Sequence, residues 1–263
     1  MKNSRCKRGA DSVRVVLALL ACAAMIAASC GGPYTPKKTN LPGDKLALAD
    51  RLFAKGSYDE AALEYKDFLA TFAGDERIDY AQFRLAESYR CAKEYALAEV
   101  EYRILINDYN YSEYVDDCYY LEALCCFKQA PRVERDQTKT YEALDRLNRF
   151  VQLYPSSSRL PEARAAIHEA HLRLGEKDFI AAKLYFSKKA YDASLIYLNK
   201  IIDLDSETIW AARSFFYRGR IRETRGERAA AVDEYRKALS IKGEYPERAD
   251  SEKRLKLLEA QTG

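Results

Sequence analysis

Histidine is nearly absent: this chain of 263 residues has two, His168 and His171. They sit three apart in AAIHEAHLRL, one position short of the spacing that lets a helix present both imidazoles to one zinc ion, so they read as a solvated helix face. No Cys-x-x-Cys pair and no Cys/His cluster occurs among the seven cysteines, which excludes a zinc site of the usual spacing. The chain also lacks a glycine-rich phosphate loop, a Gly-x-Ser-x-Gly elbow and a Cys/His pair with an orienting acid. No catalytic constellation, metal site or cofactor is therefore expected, and the chain does not read as an enzyme. Proline is missing between Asp44 and Ala130, so helical patterning runs almost unbroken there. The one long apolar run, 15–29, is shorter than the roughly 20 residues a membrane-spanning helix needs.

That run, VVLALLACAAMIAAS, follows Lys2, Arg5, Lys7, Arg8 and Arg14. A basic head, a short apolar core and small residues before a cleavage point make residues 1–29 a secretory signal. It ends Ala27-Ala28-Ser29-Cys30-Gly31-Gly32, which resembles the lipobox of bacterial lipoproteins, with Ala27 where that family prefers leucine. The resemblance implies a covalent lipid on Cys30, and Gly31 in place of aspartate implies the outer membrane. The alternative is a plain signal peptide with an incidental cysteine. Residues 1–29 carry five of the 43 basic side chains and one of the 40 acidic ones, which leaves a net charge of −1 on the remainder. No clustered basic patch remains for nucleic acid. Residues 31–43 hold three of the seven prolines and three glycines without apolar periodicity, so 30–43 reads as a lipidated, flexible tether.

Gly56, Tyr58, Ala61 and Tyr65 reappear 37 residues later as Lys93, Tyr95, Ala98 and Tyr102. Lys189, Tyr191, Ser194 and Leu198 are followed at the same interval by Gly226, Arg228, Ala231 and Tyr235. A fixed period in this range marks a stacked helical solenoid, and such proteins mostly hold other molecules. Ser57 and Glu60 have the spacing of a capping box at the first turn. The third unit carries a polar insertion, KQAPRVERDQTKT at 128–140, and the pattern over 160–189 reads as one long helix or two nearly colinear ones. RIRETRGER (220–228) alternates charges and reads as a salt-bridged helix end. A final amphipathic segment with Leu255 and Leu258 supplies a polar cap.

The units resemble the tetratricopeptide repeat. The resemblance rests on a small residue in each first helix (Ala49, Ala86, Ala123, Gly219) and an alanine joining the two helices (Ala61, Ala98, Ala143, Ala231). An aromatic follows that alanine in three units (Tyr65, Tyr102, Tyr235). The fold expected is all-α: a right-handed superhelical solenoid of about five such pairs over 44–263, with N-terminal repeats at 44–158, C-terminal repeats at 159–263 and a C-terminal capping helix.

Lipobox, tether, five repeats, a third-repeat insertion and a long helix into the fourth together resemble the BamD family of outer-membrane β-barrel assembly lipoproteins. The strings ERDQTKTYEALDRLNRFVQLYPSS (134–157) and AAKLYFSKKAYDASLIYLNKII (181–202) agree with it. That resemblance implies a non-catalytic scaffold, lipid-anchored on the periplasmic face of the outer membrane. It also implies docking on the periplasmic domains of a BamA-type barrel insertase, receipt of unfolded outer-membrane β-barrel proteins, and other assembly lipoproteins as further partners. The family's basic contact toward the insertase is not carried over, since Ile196 and Tyr197 occupy the nearby positions. The alternative is a repeat lipoprotein that organises another envelope complex, of the cell wall or across the envelope.

A concave peptide groove is expected from one stripe of each first helix in the first three units: Leu46, Phe53, Tyr80, Phe83, Tyr120, Leu124 and Phe127. Arg84 and Arg90 would hold a terminal carboxylate by charge-assisted hydrogen bonds. The competing expectation is that these rings are buried between repeats or covered by the tether. Tyr109, Tyr111 and Tyr114 read either as exposed contact surface or as filler. Cys91, Cys118, Cys125 and Cys126 read as small buried hydrophobes, or with a Cys91–Cys126 bridge as the alternative.

Overall fold

The computed structural model describes residues 34–36 and 41–260. The signal, Cys30 and most of the tether lie outside them. All elements of the described residues are helices. Five consecutive antiparallel pairs run α1 (Pro42–Ala54) with α2 (Tyr58–Thr71), α3 (Ile78–Cys91) with α4 (Tyr95–Asp108), and α5 (Val115–Lys128) with α6 (Thr138–Leu153). They continue with α7 (Leu160–Ser187) and α8 (Tyr191–Leu204), then α9 (Ile209–Thr224) and α10 (Arg228–Ser240), and α11 (Arg248–Ala260) packs on α10 as the cap. Each helix contacts the next, and the first helices of the last two pairs, α7 and α9, also touch. The chain is thus an all-α solenoid of five helix pairs with a capping helix.

The 37-residue period is written into the turns. Gly56, Lys93, Lys189 and Gly226 occupy the equivalent position, and all four take positive φ, at 80°, 66°, 60° and 75°. In each turn the next residue's N–H reaches the carbonyl five residues back, as in Ser57 to Leu52 at 3.0 Å and Glu94 to Tyr89 at 2.9 Å. This closes the first helix with a left-handed residue and reverses the chain in three residues. The expected capping box is not formed: Ser57 stands at the N-cap, but its side chain accepts no bond from the helix. The backbone bonds of the turn already hold the chain there.

Small residues set the spacing. Ala49, Ala86 and Ala123 are fully buried, as are the joining alanines and the three repeat tyrosines. At Gly219 a Cβ would lie 2.7 Å from the Tyr235 ring, so the helices of the fifth pair approach as closely as glycine allows. The long segment after Ser158 is a single helix of 28 residues, because Gly175 lies buried against Trp210 without interrupting it.

The tether boundary moves. Pro42 and Gly43 belong to α1, where a proline in the first turn has no helical N–H to lose. Tyr34 folds back onto the first pair and donates to Glu64, which also pairs with the fully buried Lys45. The third-repeat insertion is ordered as well. Buried Gln137 donates to the Arg132 carbonyl at 2.9 Å, and Arg173 of α7 donates to Gln137 Oε1 at 2.9 Å. In the alternating-charge run, Arg222 pairs with Glu227 and Arg225 with Asp192.

Candidate functional site: an aromatic face on the first three repeats

Phe53, Tyr80 and Phe83 come together, half-buried, where α1 and α3 meet the start of α5. Phe83 stacks on Tyr114 with centroids 4.7 Å apart and planes 11° from parallel, and Tyr80 lies 6.2 Å from the same ring. Arg84 sits over Phe53, its guanidinium carbon 3.7 Å from the centroid. Its Nε donates to the Tyr65 hydroxyl at 3.3 Å and stands 3.7 Å from Asp50, which also accepts from Tyr80 at 2.9 Å. Its two Nη groups have no hydrogen-bond or ion-pair partner among the described residues, so they keep the capacity to bind an anion. Burial among Tyr65, Tyr80 and Asp50 does not neutralise Arg84: desolvation opposes its charge, but those partners outweigh it and raise its pKa.

Other expected groove residues lie elsewhere. Leu46 is buried in the core of the first pair, and Tyr120 and Phe127 are buried in the third. For Tyr120 and Phe127 the cause is the position of α5, which lies between α4 and α6 and also touches α7, so nine of its 14 residues are buried. A single-stripe pattern fits a helix flanked on one side, and α5 is flanked on nearly all. Leu124 packs partly buried against the core of the second and third pairs. Arg90 does not join the aromatic face: Glu87, one turn earlier, takes its Nε and Nη2 at 2.7 Å each. Burial opposes the charge of Glu87, yet Arg90 and Tyr102 hold its carboxyl below the usual range.

Tyr114 thus belongs to the site as a stacking partner, and of the three turn tyrosines Tyr111 alone is largely exposed. Asp50 was missed from sequence; the signal available was its position 15 residues before Tyr65, repeated by Glu87 and Tyr102. His171 is not solvated. Its Nδ1 lies 2.9 Å from Asp205 at the end of α8, with the exposed His168 3.8 Å from the same carboxylate. All four described cysteines are free thiols, three of them buried. Among the described residues no group of three or more metal-ligating side chains converges, and no helix is long and apolar enough to cross a membrane.

Helix pairs with small-residue contacts, left-handed turns and an aromatic face define a repeat solenoid of the tetratricopeptide kind. The chain belongs to the YfiO family, described as an outer membrane lipoprotein, which matches residues 47–239. It is similar to the outer membrane protein assembly factor BamD of Caulobacter vibrioides, with 24% identity over 168 residues, covering 64% of this chain and 55% of that protein. BamD of Rickettsia prowazekii is likewise 24% identical over 152 residues, 58% of this chain and 61% of that protein. The chain therefore spans less than two thirds of the length of these relatives. Among solved structures, a TPR repeats protein from Bacteroides fragilis aligns with a TM-score of 0.48 at 11% identity, covering 85% of this chain and all of that one. The TPR2AB domain of yeast Sti1 aligns at 0.47 and 13% identity, covering 84% of each. The fold assignment rests on the helix pairing described above.

Proposed function

We propose that this protein is a non-catalytic lipoprotein scaffold of outer-membrane β-barrel assembly, anchored through a lipid on Cys30 at the periplasmic face of the outer membrane. The observation that carries this reading is the family match over residues 47–239. In this reading the last two repeats dock on the periplasmic domains of a BamA-type insertase. The first three receive unfolded barrel precursors, and further assembly lipoproteins complete the complex. The face built from Phe53, Tyr80, Phe83 and Tyr114 supports the precursor role. It offers ring surface for an aromatic-ended strand, and Arg84 offers unpartnered Nη groups for a terminal carboxylate.

The test is crosslinking and mass spectrometry on the protein extracted from membranes in mild detergent. The expected partner is a large outer-membrane barrel with periplasmic repeat domains; peptidoglycan-linked or inner-membrane proteins in its place would overturn the assembly role. Phe83→Ala with Tyr114→Ala should weaken binding of a barrel C-terminal peptide about tenfold, since stacking rings contribute on the order of 1–3 kcal/mol at such sites. Unchanged affinity in a folded variant would remove the groove from the reading. Cys30→Ala should release the protein from membranes, and retention of that variant would show the anchor to be wrong.

A further inference from the structure

The outer stripe of α4 is apolar where the other second helices carry charge. Take as reference the joining alanine of each pair, or Ser194 in the fourth. The residues one before it, two after it and six after it share one stripe of the second helix. In α4 they are Leu97, Val100 and Ile104, and Leu97 and Val100 are about half exposed. The last of the three is charged in every other pair: Asp67, Arg149, Lys200 and Lys237. On α2, one pair nearer the N-terminus, the middle position adds the exposed Leu63. The exposed charges of α2 and α4 are Asp59, Lys66, Arg103 and Asp108, two of each sign. The face therefore has no net charge with which to select a charged partner, and what it offers is apolar surface.

Tyr34 decides what this face meets. Its hydroxyl donates to Glu64 on α2, and Glu60, one turn earlier, is close enough to act on it electrostatically. The ring is thus held along the Glu60–Glu64 stripe, which adjoins Leu63. Glu64 is fully buried and paired with the buried Lys45, so Tyr34 is tied to a fixed group and not to a loose surface chain. Four residue steps separate Cys30 from Tyr34, at most about 14 Å of chain. Twelve steps, about 40 Å, separate Cys30 from Pro42 at the start of α1. With Tyr34 docked, a lipid on Cys30 keeps the bilayer surface within about 14 Å of that residue. So short a leash raises the effective concentration of the lipid surface, and a few half-exposed side chains then suffice to hold it.

We infer that Tyr34 clamps the lipidated N-terminus to the first repeat, and that Leu63, Leu97 and Val100 lie against the lipid surface in an uncharged, apolar contact. The inference rests on the Cys30 anchor of the proposed function. Trp210→Phe removes the one native tryptophan, and Val100→Trp or Asp145→Trp then places a reporter at the same register position of the second or the third repeat. The full-length lipidated protein is reconstituted in vesicles of phosphatidylcholine brominated in its acyl chains. Unchanged helical circular dichroism keeps each comparison between folded proteins. The V100W emission should be blue-shifted and quenched by the brominated chains, and the D145W emission should be neither. Quenching at neither position, or at both alike, overturns the lipid-facing surface. Tyr34→Ala added to Val100→Trp should restore the emission while the protein still floats with the vesicles; quenching that survives overturns the clamp. Protein that fails to float in every variant has no anchor, and the proposal falls together with that reading.

Discussion

The hydroxyl of Tyr102 on α4 donates to the Glu87 carboxylate on α3, joining the two helices of the second repeat at its centre. Tyr65 makes the same bond to Asp50 in the first repeat, and in the fifth Tyr235 bonds at 2.9 Å to Glu223, one turn beyond the equivalent position, Arg220. In the third repeat the corresponding residues are Leu124 and Leu147, which share one apolar cluster. A buried carboxylate facing an alkyl group would lose its hydrogen bond without regaining water. Glu87→Leu and Tyr102→Leu should each destabilise the protein by about 1–3 kcal/mol. The double variant should fall short of their sum by at least about 1 kcal/mol in urea denaturation. Simple additivity would show that the two residues are not a unit.

The same couple carries a pH dependence. Burial tends to raise the Glu87 pKa, but the bonds from Arg90 and Tyr102 outweigh it and bring it below its ordinary 4.5. A depressed folded-state pKa contributes stability above the unfolded value and loses it as pH falls through the folded value. The destabilisation caused by Tyr102→Phe should thus be full at pH 7 and shrink on acidification below about 4.5. A gap that is constant from pH 7 to pH 3 would assign the loss to packing alone.

Lys93 and Lys189 hold left-handed backbone conformations that Gly56 and Gly226 hold in the equivalent turns. A residue with a Cβ is disfavoured there by about 1–2 kcal/mol, partly offset by the greater freedom of glycine in the unfolded chain. Lys93→Gly and Lys189→Gly should each stabilise the solenoid by about 0.5–1 kcal/mol. A loss of stability in thermal denaturation would show that these lysine side chains contribute more than their backbone costs.

Gly219→Ala should destabilise by about 1–3 kcal/mol, because its Cβ would lie 2.7 Å from the Tyr235 ring in a packed core. Loss of the Tyr235–Glu223 bond accompanies the shift. Tyr235→Phe in the same background should add less than it does alone, a double-mutant cycle that separates steric from hydrogen-bond cost.

Thiol labelling gives a readout of packing. Burial raises all four described thiols above their ordinary value, Cys125 to about 12 and Cys126 to about 11, while Cys91 is the one that is partly exposed. Maleimide at pH 7 should modify Cys91 alone in the native mature protein, with three more thiols after denaturation. A second fast thiol would be that of Cys30 and would overturn the proposed lipid anchor.

Much of this architecture was legible from the chain. Positions 56, 93, 189 and 226 share one backbone conformation because a helical hairpin of this size needs a left-handed residue at that point in each unit. The buried alanines follow from the same period, since close helix approach tolerates nothing larger. The peptide face was legible only in part. Phe53, Tyr80, Phe83 and Arg84 sit together, whereas Tyr120 and Phe127 disappear into the core and Arg90 into a pair with Glu87. Helical periodicity gives the residues sharing a stripe but not how many neighbours flank the helix, and α5 is flanked on nearly every side.

The sequence by itself determined the repeat period, the pairing order of the helices and the small-residue contacts, because each depends on residues within one unit and the unit beside it. Tertiary structure decided what no single repeat encodes. It turned Tyr114 of one repeat onto Phe83 of the previous one and brought His171 to Asp205. It also folded the insertion back onto α7 through Gln137 and Arg173. Those contacts join residues up to tens of positions apart, and they exist only once the stacked pairs have fixed the distance between them.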